Sequence, residues 1–307
     1  MVDKKDKRGR TTSSQNSSHT PKDSHYARLR RAHRDLKDGD LKGGDGKAGG
    51  PPPFRPKQKV EAGDGPTEGL VRLYGLHTVR AALDNPRRRI KKMLVTRNAA
   101  ERLGIADLAA LPFKAELVEP RDIDKVTGSD AVHQGVLIEA EPLKPKRLDA
   151  LGDTRLVLVL DQVTDPHNVG AILRSAVAFG AGALITTARH SPAESGVLAK
   201  AASGALEHID HIEVRNLAEA LGALADAGFQ TIGLDSDGPA ELEKTFSSDR
   251  IALVLGAEGK GLRQKTRETV TTLARLDMPG AIRSLNVSNA AAVSLYAAGK
   301  FLSSTAK

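Results

Sequence analysis

The chain has 307 residues, a formal net charge of +8, 39% hydrophobic and 3% aromatic residues, and no cysteine. That length allows two ordinary domains plus additional chain, and the missing thiols exclude a disulfide scaffold, a thiolate metal site and a cysteine nucleophile. No apolar run approaches the ~20 residues that cross a bilayer, and Met1-Val2-Asp3-Lys4-Lys5 has no apolar segment behind its charges, so a soluble, cytoplasmic protein without membrane contact is expected.

The charge sits at one end. Residues 1–66 carry 16 Lys and Arg against 9 Asp and Glu, whereas the remainder carries 30 against 29. With a Gly-rich stretch at 43–50 and Pro51-Pro52-Pro53, residues 1–68 have the composition of a disordered basic arm. A short helix over Ala27–Leu36 has too little apolar surface to fold alone. A solvated extension and a polyanion-binding arm are both open readings.

Residues 69–145 read as a small α/β domain. Leu73-Tyr74-Gly75 leads into a helix from His77 to Leu83, ended by Asp84-Asn85-Pro86. A strand at Ile90–Val95, a helix at Ala99–Leu108, a strand at Ala115–Val118, a polar turn region and a strand at Val136–Ile138 follow. Pro142 and Pro145 suggest a linker.

Residues 153–307 have a different texture. Leu156-Val157-Leu158-Val159-Leu160 is a continuous apolar run, as in a strand covered on both faces. A helix at Val169–Phe179, strand Ala183–Thr186, helix Ser195–Ala202, strand Ile209–Val214, helix Leu217–Ala227 and strands Gln230–Leu234, Ile251–Leu255 and Leu273–Met278 are expected, then a long helix from Asn286 to Phe301. This alternation predicts a mostly parallel sheet with helices on both faces, whose ligand crevice lies beyond the carboxyl ends of the strands.

Three loops in those places carry candidate chemistry. The first, Asp161 to Ser175, holds Asn168, which suits a helix cap, and Arg174 among the apolar Ala171, Ile172, Ala176 and Val177, where a planar cation could grip a phosphate. The second, Gly256-Ala257-Glu258-Gly259-Lys260-Gly261-Leu262, fits neither the G-x-x-x-x-G-K-[ST] nor the G-x-G-x-x-G phosphate pattern. Its glycines nonetheless permit close ligand approach. The third runs from Met278 to Asn289, where Ser284 or Asn286 could cap the last helix. His208 and His211 lack a third metal ligand nearby, so no metal site is expected. His77, His133 and His167 read as hydrogen-bonded structural residues, and no G-x-S-x-G elbow signals a serine triad.

Asn168-Val169-Gly170-Ala171-Ile172-Leu173-Arg174, Leu253-Val254-Leu255-Gly256-Ala257-Glu258-Gly259 and Ser284-Leu285-Asn286-Val287-Ser288 together resemble the three motifs of the SpoU (TrmH-type) branch of the SPOUT superfamily. These are RNA ribose 2′-O-methyltransferases with a trefoil-knotted cofactor site. Leu73 to Val79 and His133-Gln134-Gly135-Val136 resemble the small RNA-binding domain of the bacterial enzymes that methylate a guanosine ribose in 23S rRNA.

The resemblance implies an α/β fold with a C-terminal trefoil knot, S-adenosylmethionine as methyl donor, 23S rRNA as partner and a homodimer joined through Ala290, Ala291, Val293 and Leu295 of the last helix. It implies Asn168, Arg174, Glu258, Ser284 and Asn286 as the catalytic and substrate-binding set. Arg174 would bind the target phosphate and stabilise charge on the 2′-oxygen, Asn286 would orient it, and Glu258 would support Arg174 or its loop. Backbone groups near Gly256, Met278 and Leu285 would hold the adenosine. Two other readings remain open from sequence: a tRNA ribose 2′-O-methyltransferase, and a non-catalytic RNA-binding ribosome-assembly factor.

Overall fold

The computed structural model describes residues 69–305, which fall within one compact unit. The basic arm at 1–68 and the helix expected at 27–36 lie outside the described residues.

A four-stranded sheet comes first, formed by β1 (Val71–Tyr74), β2 (Ile90–Val95), β3 (Lys114–Leu117) and β4 (Val136–Ala140) in the order β1-β4-β2-β3. β4 runs antiparallel to β1 and β2, while β2 and β3 are parallel. Between them lie α1 (Leu76–Asp84), α2 (Arg97–Leu103) and α3 (Pro120–Thr127). α2 ends well before Leu108 because Gly104 takes a left-handed conformation and gives its N–H to the carbonyls of Ala100 and Glu101. α3 replaces the expected turn region. Its sequence is polar because Ile123 is its one buried residue, and a capping box between Glu119 and Asp122 starts it.

The two motif-bearing segments of this sheet meet at one corner. Gln134, at a φ of 54°, accepts from the Leu76 N–H at 3.0 Å, and His133 accepts from the Gly135 N–H at 3.0 Å while its Nε2 meets Asp124 at 3.0 Å. His133 is thus a structural histidine. His77 and His167, by contrast, are exposed.

The second sheet has seven strands, all parallel, in the order β7-β6-β5-β10-β8-β11-β9. They are β5 (Leu156–Asp161), β6 (Ala183–Thr187), β7 (Asp210–Val214), β8 (Gln230–Leu234), β9 (Ala240–Glu241), β10 (Ile251–Gly256) and β11 (Thr272–Arg275). Successive side chains point to opposite faces. Leu156, Leu158 and Leu160 therefore meet α4 (Pro166–Ala178), α5 (Gly196–Ala202) and α8 (Val287–Thr305). Val157 and Val159 meet α6 (Leu217–Asp226) on the other side. A short helix, α7 (Gln264–Thr269), was not expected from sequence; its only buried residue is Thr266. β11 ends at Arg275, so Met278 lies in the loop beyond it.

The sheets are joined by a buried ionic cluster and by glycines. Arg88, its side chain fully buried, donates from Nε at 3.0 Å and Nη2 at 2.5 Å to Oε1 of Glu207, whose Oε2 accepts from Asn85 at 2.6 Å. Nη1 of Arg88 donates to the Glu141 carbonyl and lies 2.7 Å from Glu194, whose carboxyl is pushed up from its usual range by burial. A side chain on Gly196 would overlap the Arg72 carbonyl and the Tyr74 ring, and one on Gly170 would overlap the Leu198 carbonyl of α5.

His211 lies on β7 with Nε2 2.8 Å from the Thr186 hydroxyl, and burial lowers its pKa. Among the described residues no group of His, Cys, Asp or Glu could hold a metal ion. Because the folded chain resists protonating His211 while the unfolded chain does not, stability falls as pH drops below the ordinary histidine value of about 6.5. The fall ends below the lowered folded value. Urea unfolding at pH 7.5 and pH 5.5 should show His211→Gln losing less stability on acidification than the unsubstituted chain; equal losses would exclude the effect.

Candidate active site

The candidate residues come from the carboxyl edge of the large sheet. β5 and β10 are neighbours, and Asp161 is paired in register with Gly256, so the loops that leave these two strands start side by side. The third loop arrives through α8, which packs on α4 and β10 within one core.

After β5, Gln162 takes a φ of 64°, and Asp165 opens α4 by accepting from the N–H groups of His167 and Asn168, each at 3.3 Å. Asp165, then, and not Asn168, is the cap, and Pro166 occupies the first helical turn, where no N–H is needed. This frees the Asn168 side chain. Asn286 Nδ2 donates to Asn168 Oδ1 at 3.1 Å across 118 positions of sequence. Asn286 also caps α8, its Oδ1 accepting from Ser288 N at 2.8 Å and Ser288 Oγ at 2.6 Å. One amide thereby starts a helix and fastens the third loop to the first.

The remaining members stand differently. Arg174 points away from its apolar neighbours: Ile172, Leu173 and Ala176 form the buried face of α4, and Arg174 is exposed. Glu258 and Ser284 are exposed too. Among the described residues none of these three side chains has a hydrogen-bond or ion-pair partner, so within a single chain neither Asn286 nor Glu258 holds the Arg174 guanidinium. Of the last helix, Ala291 and Leu295 are buried in the chain's own core, leaving Val293 and Tyr296 as its exposed large residues.

The Glu258 loop is a tight closed turn. Gly261 N donates to the Ala257 carbonyl at 2.8 Å, Gly259 and Gly261 have positive φ, and a Cβ on Gly256 would overlap the Gly261 backbone. Asp161, which the sequence motifs left without a role, is wholly buried beneath this loop.

The loop from 277 to 285 suits a nucleoside. No backbone–backbone hydrogen bond among the described residues involves it, so its N–H and C=O groups are open to a ligand, with Ile282 and Leu285 offering exposed apolar surface beside them. The Met278 carbonyl is the exception, taken at 3.0 Å by the Arg283 guanidinium. Adenosine of S-adenosylmethionine fits this donor set. A cavity of about 500 Å³ lies elsewhere, lined by Leu143, Lys146, Val169, Leu173, Glu194 and His211, and includes none of the five candidate residues.

A fully parallel, doubly covered sheet with three such loops at its carboxyl edge defines an α/β enzyme of the nucleotide-binding kind. Residues 155–296 match the SpoU rRNA methylase family, and residues 72–146 match the RNA 2′-O ribose methyltransferase substrate-binding family. The chain is 39% identical to a 23S rRNA (guanosine-2′-O-)-methyltransferase RlmB of Ralstonia nicotianae over 234 residues, covering 74% of this chain and 94% of that protein. With the Escherichia coli RlmB it shares 32% over 234 residues, 74% of this chain and 96% of that one. The fold is that of the SpoU methyltransferase AviRb from Streptomyces viridochromogenes, also solved with AdoMet (TM-score 0.65, 22% identity, 76% of this chain and 90% of that chain). The chain belongs to the SpoU rRNA methylase family and is an RNA 2′-O-methyltransferase.

Proposed function

We propose that the chain methylates the ribose 2′-hydroxyl of a guanosine in 23S rRNA with S-adenosylmethionine as donor. The observation that carries this reading is the Asn168–Asn286 bond, which draws together the first and third loops, the first leaving the strand next to the one that ends at Gly256. The RlmB relatives, matched over nearly their whole length, favour 23S rRNA over tRNA.

Bound S-adenosylmethionine supplies a strongly electrophilic methyl group. The acceptor hydroxyl is a weak nucleophile near neutral pH, so the protein's task is alignment and assistance with proton loss. Gly256, Leu285 and the open backbone at 277–285 hold the adenosine; the N–H of Met278 contributes, since its carbonyl is engaged. Arg174 binds the target phosphate and stabilises negative charge growing on the 2′-oxygen through its guanidinium. Asn168 and Asn286 orient the sugar, and Ser284 supplies a hydroxyl at the same rim.

We infer a homodimer, in which a second copy brings its own groups to Arg174 and Glu258. Their lack of side-chain partners among the described residues supports this, as do the exposed Ile282, Leu285, Val293 and Tyr296. We propose a trefoil path for the last loops and a cytoplasmic location, both supported by the family likeness; among the described residues no helix is long and apolar enough to cross a membrane. Residues 69–145 are the proposed RNA-selecting domain and 153–307 the methyltransferase domain, with the basic arm at 1–68 adding affinity without reading sequence.

Labelled methyl donor, purified protein and separate 23S rRNA and tRNA substrates test the reading. Label should appear on a guanosine ribose of 23S rRNA. Label confined to tRNA would move the substrate, and no label together with no donor binding in calorimetry would leave an RNA-binding assembly factor.

A further inference from the structure

Asp161 ends β5 with its side chain wholly buried. It accepts three hydrogen bonds: from Arg263 N at 3.0 Å, from Arg263 Nε at 2.6 Å and from the Thr266 hydroxyl at 2.7 Å. A carboxylate has room for all three, and charge-assisted bonds of this kind are about twice as strong as neutral ones.

The placement matters more than the count. Gly256, where the Glu258 loop departs, is the residue paired in register with Asp161 on the neighbouring strand. Arg263, where the loop returns, is bound by the Asp161 side chain. One residue therefore secures both feet of the loop, through the strand ladder at one end and the carboxylate at the other. Leu262, buried against the α6 face, closes the span between them.

Burying a carboxylate is costly unless it is paired and hydrogen-bonded, and here all its bonds go to the returning end of a loop whose own segment, Glu258 to Gly261, is exposed. A core stabiliser has no need to face that way. A site that must hold a ligand needs supporting bonds beneath the groups that touch it.

We infer that Asp161 is a positioning residue for the methyl donor: through Arg263 and Thr266 it fixes the 256–262 loop in the shape that receives S-adenosylmethionine. This rests on the proposed function. Asp161 itself touches no substrate, and it acts before any ligand arrives.

Asp161→Asn keeps the volume but offers one acceptor oxygen, so at least one of the three donors then faces an N–H. Calorimetric titration of S-adenosylmethionine into the full chain should show its Kd rising about tenfold, with RNA affinity unchanged. In the ligand-free protein, backbone hydrogen exchange should quicken over 256–263 while β5 and the core of β10 keep their protection. Thr266→Val removes a single bond without unpairing a charge; it should raise the donor Kd about threefold, and it answers the question if Asp161→Asn does not fold. An unchanged donor Kd in the folded variants overturns the inference, even if the thermal midpoint falls, because a merely structural role lowers stability without weakening binding by the folded fraction. If the unsubstituted chain binds no S-adenosylmethionine, the functional reading fails first, and the inference with it.

Discussion

Lysine in place of Arg174 lowers turnover about 100-fold while RNA affinity stays within roughly tenfold. Arg174 is exposed on α4 with no side-chain partner among the described residues, so within one chain the substitution disturbs neither core packing nor an ion pair. Surface replacements of that kind change stability by at most about 0.5 kcal/mol. Lysine retains the point charge that attracts a phosphate but loses the planar fork that can engage a phosphate and a neighbouring oxygen together. Single-turnover methylation with enzyme in excess separates the two effects, since the rate at saturation reports chemistry and the half-saturating concentration reports binding. Turnover within twofold of the unsubstituted enzyme would remove Arg174 from the reaction. Equal losses in binding and in turnover would reduce it to a phosphate anchor.

Glu207→Ala destabilises the fold by about 3–5 kcal/mol. The substitution strips Arg88 of two hydrogen bonds and Asn85 of one in a place without solvent. Glu194 remains 2.7 Å from Nη1 of Arg88 but makes no well-directed hydrogen bond to it, so it cannot replace the lost pair. Glu207→Gln keeps an acceptor and should cost less. Replacing both Arg88 and Glu207 with apolar residues is not the neutral swap seen for isolated buried pairs, because Glu194 is then left as a buried carboxyl without its cation. Urea unfolding of the three variants orders them, and a Glu207→Ala loss below 1 kcal/mol would mean that water enters the cluster.

Much of the framework was legible from short-range pattern. β2 and β8 fall where the apolar runs placed them, and Leu156 to Leu160 reads as a strand covered on both faces because it is one. α3 and α7 bury a single residue each, so their sequences are polar overall and too poor in apolar positions to stand out from a turn. At the start of α4 the cap lies three positions before the expected Asn168. Asp165 took the role because its carboxylate reaches the amides of both His167 and Asn168.

The site was legible as three loops, but not as an arrangement. That Asn168 meets Asn286 is a long-range fact about how α8 returns to α4, and no local periodicity encodes it. Apolar neighbours in sequence suggested that Arg174 could face the crevice; the helix places it on the exposed side of α4, away from the buried Ile172 and Leu173, where it is open to a ligand. Asp161 escaped notice because its partners lie about 100 positions downstream. The one available signal was a charged residue at the end of an otherwise apolar strand.

The central ladder of the large sheet sets a timetable for synthesis. Leu156 to Asp161 gains β6 on one edge soon after it is made, but its other edge must wait for Ile251 to Gly256, and a ribosome needs about 5–20 seconds to make the intervening chain. The four-stranded sheet has all its strands by Ala140 and closes in the meantime. A nascent chain therefore displays its most apolar strand, with one edge unpaired, beside an already folded amino-terminal portion. Chaperone demand should concentrate in that interval, when non-local pairing is still incomplete.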